Sequence, residues 1–286
     1  MTKTVAVLGL GAMGSRMAGR LLEAGVAVRA YNRSAPARAA LEQRGATSCE
    51  TPGQAAQGAD VVLSMVRDDA ASQQVWCDPE QGALAAMDPG AVALECSTLS
   101  PAGVRALGQA AAQRGVAVLD APVVGTRPQA DAGALVFLVG GDAESLATVS
   151  PTLEILGSAV HHVGSLGHGT AMKLAVNALF GIQVSALAEL LGALGRVGIG
   201  PARSMEVLGS LAVCSPAAKG SGALMVAERY DPLFPVELVE KDFGYALDLA
   251  GARAPLTAAA RDVFARAREV GLGQENLVAV AKLYRD

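Results

Sequence analysis

Through the first half of the chain, short aliphatic runs alternate with stretches whose apolar residues recur at helical spacing. Residues 5–8, 26–31, 59–66, 91–95, 116–119, 135–139 and 159–163 read as strands, several of them apolar enough to be covered on both faces. Helical periodicity fills 13–24, 51–57, 69–76, 101–114 and 143–156 between them. Strands alternating with helices predict a doubly wound, parallel α/β sheet. The Pro- and Gly-rich stretch 120–135 reads as a loop between two strands.

The pattern changes at Gly164. A glycine-rich turn (Gly164, Gly167, Gly169) leads into a proline-free run, rich in Ala, Leu and Val, that ends near residue 197 and would make a helix of about 40 Å. Apolar on nearly every side, it is expected to be buried all round, between domains or between subunits. Lys173, Asn177, Gln183, Ser185 and Glu189 interrupt it. Lys173 and Asn177 are four apart and project from one face. Taken alone, these residues leave two readings open. Either Lys173 is placed for chemistry, since a lysine buried without purpose is costly, or it reaches solvent and leaves Asn177 a satisfied core amide. After residue 200 only helical runs follow, at 202–211, 217–228, 236–250, 256–270 and 275–284, which predict an all-α second domain.

Composition narrows the class. With 286 residues and 51% hydrophobic content, two cores and two domains are expected. A net charge of −4 without a basic run speaks against a nucleic-acid partner or an anionic membrane surface. Cys49, Cys77, Cys96 and Cys214 are scattered, and His161, His162 and His168 lie near none of them, so reduced thiols and no metal site are expected. The N-terminus runs directly into a strand pattern, and no apolar stretch reads as long enough to span a membrane. A soluble, cytoplasmic protein is the expectation.

Chemistry enters at Gly9-Leu10-Gly11-Ala12-Met13-Gly14, a G-x-G-x-x-G that follows a strand, opens a helix and precedes a second strand. That context is what dinucleotide binding requires. Gly9 permits the tight turn, Gly11 lets a pyrophosphate approach the backbone, and Gly14 lets helix and strand pack closely, while the helix N-terminus offers amides to the anion. NAD calls for a carboxylate at the end of the second strand; this chain has Asn32, Arg33 and Ser34 there. A forked cation with small polar neighbours suits a 2′-phosphate, so NADP is favoured over NAD. Met65, Val66 and Thr98 fall at carboxyl ends of later strands, where the nicotinamide half would lie. The loop from Asp120 is suited to holding a substrate carboxylate. Farther on, Lys241, Tyr245 and Asp248 share one helix face, which also reads as an ordinary amphipathic surface.

Four stretches in this order carry a resemblance: the Gly9–Gly14 fingerprint, Asp120-Ala-Pro-Val, Gly167-x-Gly-x-x-x-Lys173-x-x-x-Asn177, and Lys241-Asp-Phe-Gly-x-Ala-x-Asp248. Together they resemble the β-hydroxyacid dehydrogenase family, which includes 3-hydroxyisobutyrate dehydrogenase and the tartronate semialdehyde, succinic semialdehyde and glyoxylate reductases. The resemblance implies an NADP-binding Rossmann domain (1–163), a long interdomain helix (164–197) and an all-α substrate and oligomerisation domain (198–286). The active site would lie between the domains, in a homodimer or homotetramer. It further implies Lys173 as the catalytic lysine, Asn177 as its substrate-bonding partner and Lys241 as a residue closing over the nicotinamide. Asp248, at the end of the same signature, is a candidate substrate contact together with the loop residues 124–127, and Met65, Val66 and Thr98 match cofactor contacts.

One stretch departs from the family pattern. Where the family loop reads Asp-Ala-Pro-Val-Ser-Gly-Gly, this chain has Val124, Gly125, Thr126 and Arg127 after Asp120-Ala-Pro-Val. The family's serine hydroxyl is replaced by Val124 and its second glycine by Thr126, while Arg127 is available to a carboxylate, which argues against 3-hydroxyisobutyrate itself and leaves a semialdehyde, another oxo acid or a less polar carbonyl compound as candidates. In reduction, Lys173 as an ammonium would protonate the carbonyl oxygen while hydride arrives; in oxidation it must first be neutral, which desolvation favours. Two other classes stay open: an imine reductase, which generally carries another residue at the lysine position, and a non-catalytic NADP-binding protein.

Overall fold

The computed structural model describes residues 3–285, which form two compact units, one ending at Lys173 and one beginning at Leu174. The first contains β1 (Thr4–Leu8), α1 (Gly14–Glu23), β2 (Ala27–Tyr31), α2 (Ala35–Glu42), β3 (Thr47–Cys49), α3 (Pro52–Ala56), β4 (Val61–Ser64) and α4 (Asp69–Cys77). It continues with β5 (Val92–Glu95), α5 (Pro101–Ala112), β6 (Ala117–Asp120), β7 (Val123–Val124), α6 (Arg127–Asp131), β8 (Leu135–Gly140), α7 (Ala143–Leu156) and β9 (Gly157–Gly164).

These strands make one sheet in the order β3-β2-β1-β4-β5-β6-β8-β7, with β9 also paired to β8. From β3 to β6 every pairing is parallel, and the order reverses between β1 and β4, the switch point at which such sheets bind dinucleotides. Side chains alternate between two apolar layers: Val5, Val7, Val61 and Leu63 face one, Ala6, Leu8 and Val62 the other. Such double coverage is why these strands read as continuous apolar runs.

Two expectations need correction here, and two elements are additions. The sheet is not wholly parallel, because β8 runs antiparallel to both β6 and β7 and only β9 restores a parallel pairing. The stretch 120–135 is not simply a loop: β7 pairs with β8 and α6 follows, so the chain folds back on itself over a connection too short for a parallel crossover. Both α2 and β3 lie in a region that shows no clear period; only Leu41 of α2 is buried.

The long helix, α8, runs His168–Arg196, beginning in the first unit and continuing through the second. The second unit adds α9 (Pro201–Leu208), α10 (Pro216–Val226), α11 (Val236–Ala250) and α12 (Pro255–Ala267), and ends in a 3-10 segment, Leu277–Tyr284. Val184, Leu187, Ala188 and Leu191 of α8 share its core with Val236, Val239, Phe243 and Phe264. Within the single chain α8 is not covered all round, since Met172, Leu179 and Leu190 are 45%, 61% and 52% exposed. The reading that no stretch could span a membrane is also corrected: α8 is long enough and, at a mean hydropathy of 1.7, apolar enough to do so. A core helix meets the same criterion, and the buried row that α8 gives to the helical unit's core accounts for its composition.

Candidate active site

At the carboxyl end of β1 the glycines have separate duties. Gly9 sits at φ +97°, and a side chain there would collide with the Met65 carbonyl; one at Gly14 would overlap the Gly9 carbonyl oxygen. Both glycines are therefore demanded by the protein's own packing. Gly11 is different: it is exposed, its φ is not positive, and an added Cβ would meet no protein atom within 4 Å. Its small size leaves the start of α1 open to close approach from outside, at a helix terminus whose first turn carries no acidic residue. A dinucleotide pyrophosphate fits that cradle.

The residues after β2 divide. Asn32 is used within the fold, its Oδ1 accepting the Leu10 N–H at 3.0 Å and so fixing the glycine turn. Arg33 and Ser34 are exposed. Across the switch point, Val66 N–H donates to the Ser97 hydroxyl at 2.8 Å, tying the segment after β4 to the one after β5. Glu95, missed in the sequence, organises the second of these. Its carboxylate, 1% exposed, accepts from Ser72 Oγ at 2.7 Å, Trp76 Nε1 at 2.8 Å and Ser97 N–H at 2.9 Å. Burial raises its pKa, with those donors opposing the rise. A carboxylate inside an otherwise apolar strand was the available signal. Met65, Val66 and Thr98 are half-buried beside this network.

In the departing loop, Val124 lies in β7 against Val136. Thr126 donates both its N–H and its hydroxyl to Gln129 Oε1 at 2.9 Å, so both of its donors are already used to start α6. Gly125 sits at φ +129°, and Arg127 is half-buried, its Nε enclosed without a hydrogen-bond partner.

Asp120 closes β6. Fully buried, it accepts the Gly167 N–H on Oδ1 at 2.8 Å and the Thr170 N–H on Oδ2 at 2.6 Å, which caps the start of α8 from across the sheet. Burial pushes its carboxyl up to about 6 despite these amides. One turn beyond Thr170, Lys173 is 9% exposed, and one turn further Asn177 is 6% exposed. Thr170, Lys173 and Asn177 thus follow one buried stripe of α8.

Within the helical unit, Asn177 Nδ2 donates to Asp242 Oδ2 at 2.6 Å, and Lys241 Nζ pairs with Asp242 Oδ1 at 2.8 Å. The Lys241 ammonium also sits 4.5 Å above the Tyr245 ring. Asp242 is 4% exposed and was not singled out in the sequence, although it falls in the stripe Val239, Asp242, Phe243, Ala246 that α11 buries. Asp248 is exposed. Among the described residues no group of three or more His, Cys, Asp or Glu is arranged to hold a metal.

A glycine-cradled switch point in a sheet of this order defines the first unit as a dinucleotide-binding domain of the Rossmann class. Residues 4–164 match the family described as the NAD binding domain of 6-phosphogluconate dehydrogenase, and 167–284 the NAD-binding domain of NADP-dependent 3-hydroxyisobutyrate dehydrogenase. The chain belongs to the β-hydroxyacid dehydrogenase family and is a dehydrogenase or reductase acting on hydroxyl groups with a nicotinamide cofactor. It is 34% identical over 302 residues to 3-hydroxyisobutyrate dehydrogenase of Pseudomonas aeruginosa, covering 98% of each chain. To 2-(hydroxymethyl)glutarate dehydrogenase of Eubacterium barkeri it is 33% identical over 291 residues, covering 99% of this chain and 96% of that one. A solved structure of Mycobacterium tuberculosis 3-hydroxyisobutyrate dehydrogenase superposes with a TM-score of 0.91 at 29% identity, covering 100% of both.

Proposed function

We propose that this protein is an NADP(H)-dependent oxidoreductase that interconverts a β-hydroxy acid, or a related hydroxy acid, and its semialdehyde or oxo acid, with Lys173 as general acid and base. The observation that carries the reading is the burial of Lys173, 9% exposed, one turn from Asn177 on the same stripe of α8. A buried ammonium of that kind is held by its surroundings rather than drawn into bulk water.

The bound nicotinamide supplies or accepts the hydride. In reduction, Lys173 donates a proton to the substrate oxygen as negative charge develops on it; in oxidation, neutral Lys173 takes the hydroxyl proton. Asn177 orients the same oxygen, a contribution of geometry. With one N–H already given to Asp242, its amide has a fixed rotamer, and its carbonyl oxygen and second N–H are left to act. Arg127, with Gly125, receives the substrate carboxylate; with both Thr126 donors used internally, the cation is the stronger anchor. Arg33 and Ser34 take the 2′-phosphate, and the Gly9–Gly14 turn, Met65, Val66 and Thr98 line the rest of the cofactor. Lys241 closes over the nicotinamide. The division into 1–163, 164–197 and 198–286, a homodimeric or homotetrameric assembly and a cytoplasmic setting belong to the same reading.

The test is a panel of β-hydroxy acids, semialdehydes and oxo acids assayed with NADPH/NADP and NADH/NAD side by side, for the wild type and for Lys173→Ala. The expected result is turnover of at least one carboxylate-bearing substrate, faster with NADP(H), and retained NADPH binding but no turnover in the variant. A variant keeping most of its activity would refute the role of Lys173. Reduction of a cyclic imine alone would make the protein an imine reductase, and NADPH binding without any turnover a non-catalytic binder.

A further inference from the structure

The buried carboxylate of Asp120 lies outside the chemistry just described, yet the fold is built closely around it and shuts it off from solvent. Three chain segments converge on it. β6 supplies the residue itself; the start of α8 supplies the Gly167 and Thr170 amides at 2.8 and 2.6 Å; and the end of β8 supplies Gly140. A Cβ at Gly140 would overlap Asp120 Oδ1 and would come within 2.7 Å of the Ser165 carbonyl and 2.8 Å of the Gly169 amide. A Cβ at Gly169 would press on the backbone of Asp120, Leu138 and Gly140. Backbone therefore meets backbone at this junction, and the Asp120 carboxylate bonds across it to the start of α8.

Such a junction fixes both the axial position and the rotation of the first turn of α8. Thr170, whose amide is held, precedes Lys173 by three residues, so the two lie on one face a turn apart, 1% and 9% exposed. We propose that Asp120 is a positioning residue for Lys173: by clamping the first turn of α8 to the ends of β6 and β8, it sets where the lysine amine stands relative to the reacting atoms. This inference rests on the catalytic reading of Lys173. Its energetic weight follows from the tolerance of proton transfer to geometry, since a displacement of about 1 Å costs on the order of a hundredfold in rate.

The test combines kinetics with a readout of the amine itself. In Asp120→Asn, one acceptor oxygen is replaced by an N–H donor that opposes one of the two backbone amides. The variant is expected to stay folded by circular dichroism, to bind NADPH within about threefold of wild type, to keep KM for the carbonyl substrate within about threefold, and to lose at least tenfold in kcat. Alongside, the rate of Lys173 acetylation by a water-soluble reagent is measured by mass spectrometry against exposed Lys219, with an expected change of at least fivefold. Folded protein with wild-type kcat overturns the proposal. So does a loss of kcat with unaltered Lys173 labelling, because the loss is then not transmitted through the lysine. Should Asp120→Asn fail to fold, Thr170→Pro removes one amide donor in the first helical turn while leaving the carboxylate intact, and the same two criteria apply. If Lys173→Ala retains activity while Asp120→Asn still alters the labelling, it is the catalytic reading that fails and the clamp that stands.

Discussion

Asn177 and Asp242, sixty-five residues apart, meet through a 2.6 Å hydrogen bond from the amide Nδ2 to Oδ2, with both side chains almost wholly buried. The other oxygen of the same carboxylate holds Lys241. One acid therefore fixes the rotamers of two groups assigned roles in substrate and cofactor contact, and its removal would take the carboxylate from beside a cation that is only 17% exposed. Breaking one side of a buried pair costs about 3–5 kcal/mol, more than the pair adds over an apolar substitute. Asp242→Ala is accordingly expected to lower the urea midpoint of the helical unit by an amount worth about 3 kcal/mol and to cut kcat/KM at least tenfold. Asp242→Asn, which still offers an acceptor to Asn177, should recover part of the stability. Equal stability of Asp242→Ala and wild type would show that the pair is dispensable.

On the proposed reading, cofactor preference is set by the residues that follow β2. Asn32 is engaged with the Leu10 amide, so discrimination falls to the exposed Arg33 and Ser34. Arg33→Ala should raise KM for NADPH at least tenfold and leave KM for NADH within about twofold, because only the phosphorylated ribose presents a charge for the guanidinium to meet. Equal losses with both cofactors would move the role of Arg33 from discrimination to general support.

Much of this arrangement was legible in the sequence because the residues involved have few physical alternatives. The Gly9–Gly14 turn between an apolar strand and a helix admits little else, and Lys173 stands out in a run of Ala and Leu. What escaped notice depends on coverage rather than on local pattern. α2 buries only Leu41 and shows no stripe; β7 is two residues long inside a Pro- and Gly-rich stretch. Asp242 follows a lysine and looks like half of a surface pair, and only the packing of α11 makes it an interior acid. The composition of α8 announced an apolar rod but not which of its sides this chain covers by itself: Met172, Leu179 and Leu190 stand exposed on the single chain.

Two glycines of the same fingerprint should behave oppositely. A methyl at Gly14 runs into the Gly9 carbonyl, so Gly14→Ala is expected to destabilise the first unit by about 1–3 kcal/mol, as overpacking does. Gly11→Ala meets no protein atom and should change stability by less than about 0.5 kcal/mol while weakening NADPH binding at least tenfold. Thermal unfolding with and without NADPH separates the two: Gly14→Ala unfolds earlier in both conditions, whereas Gly11→Ala differs only in the shift that cofactor produces. Unweakened binding in Gly11→Ala would remove the pyrophosphate from that turn.

The last prediction concerns pH. Asp120 has its carboxyl raised to about 6 from the usual 3.8 by burial. A raised acid binds its proton more readily folded than unfolded, so between about pH 4 and pH 6 the folded state holds the extra proton and stability grows as pH falls. The carboxylate thus costs stability at neutral pH, on the order of 1–3 kcal/mol, and that cost is relieved as the solution is acidified. Buried Glu95 pushes in the same direction, while Asp142, lowered by its hydrogen bonds to Ser145, pushes the other way, so the wild-type profile alone mixes opposing contributions. Subtracting the profile of Asp120→Asn, which cannot titrate at this position, isolates the one group. Urea midpoints at pH 4.5 and 6.5 should show the wild type gaining on the variant at the lower pH. A difference that is flat, or that grows toward higher pH, would mean that the two α8 amides outweigh burial and hold the carboxyl near or below its ordinary value.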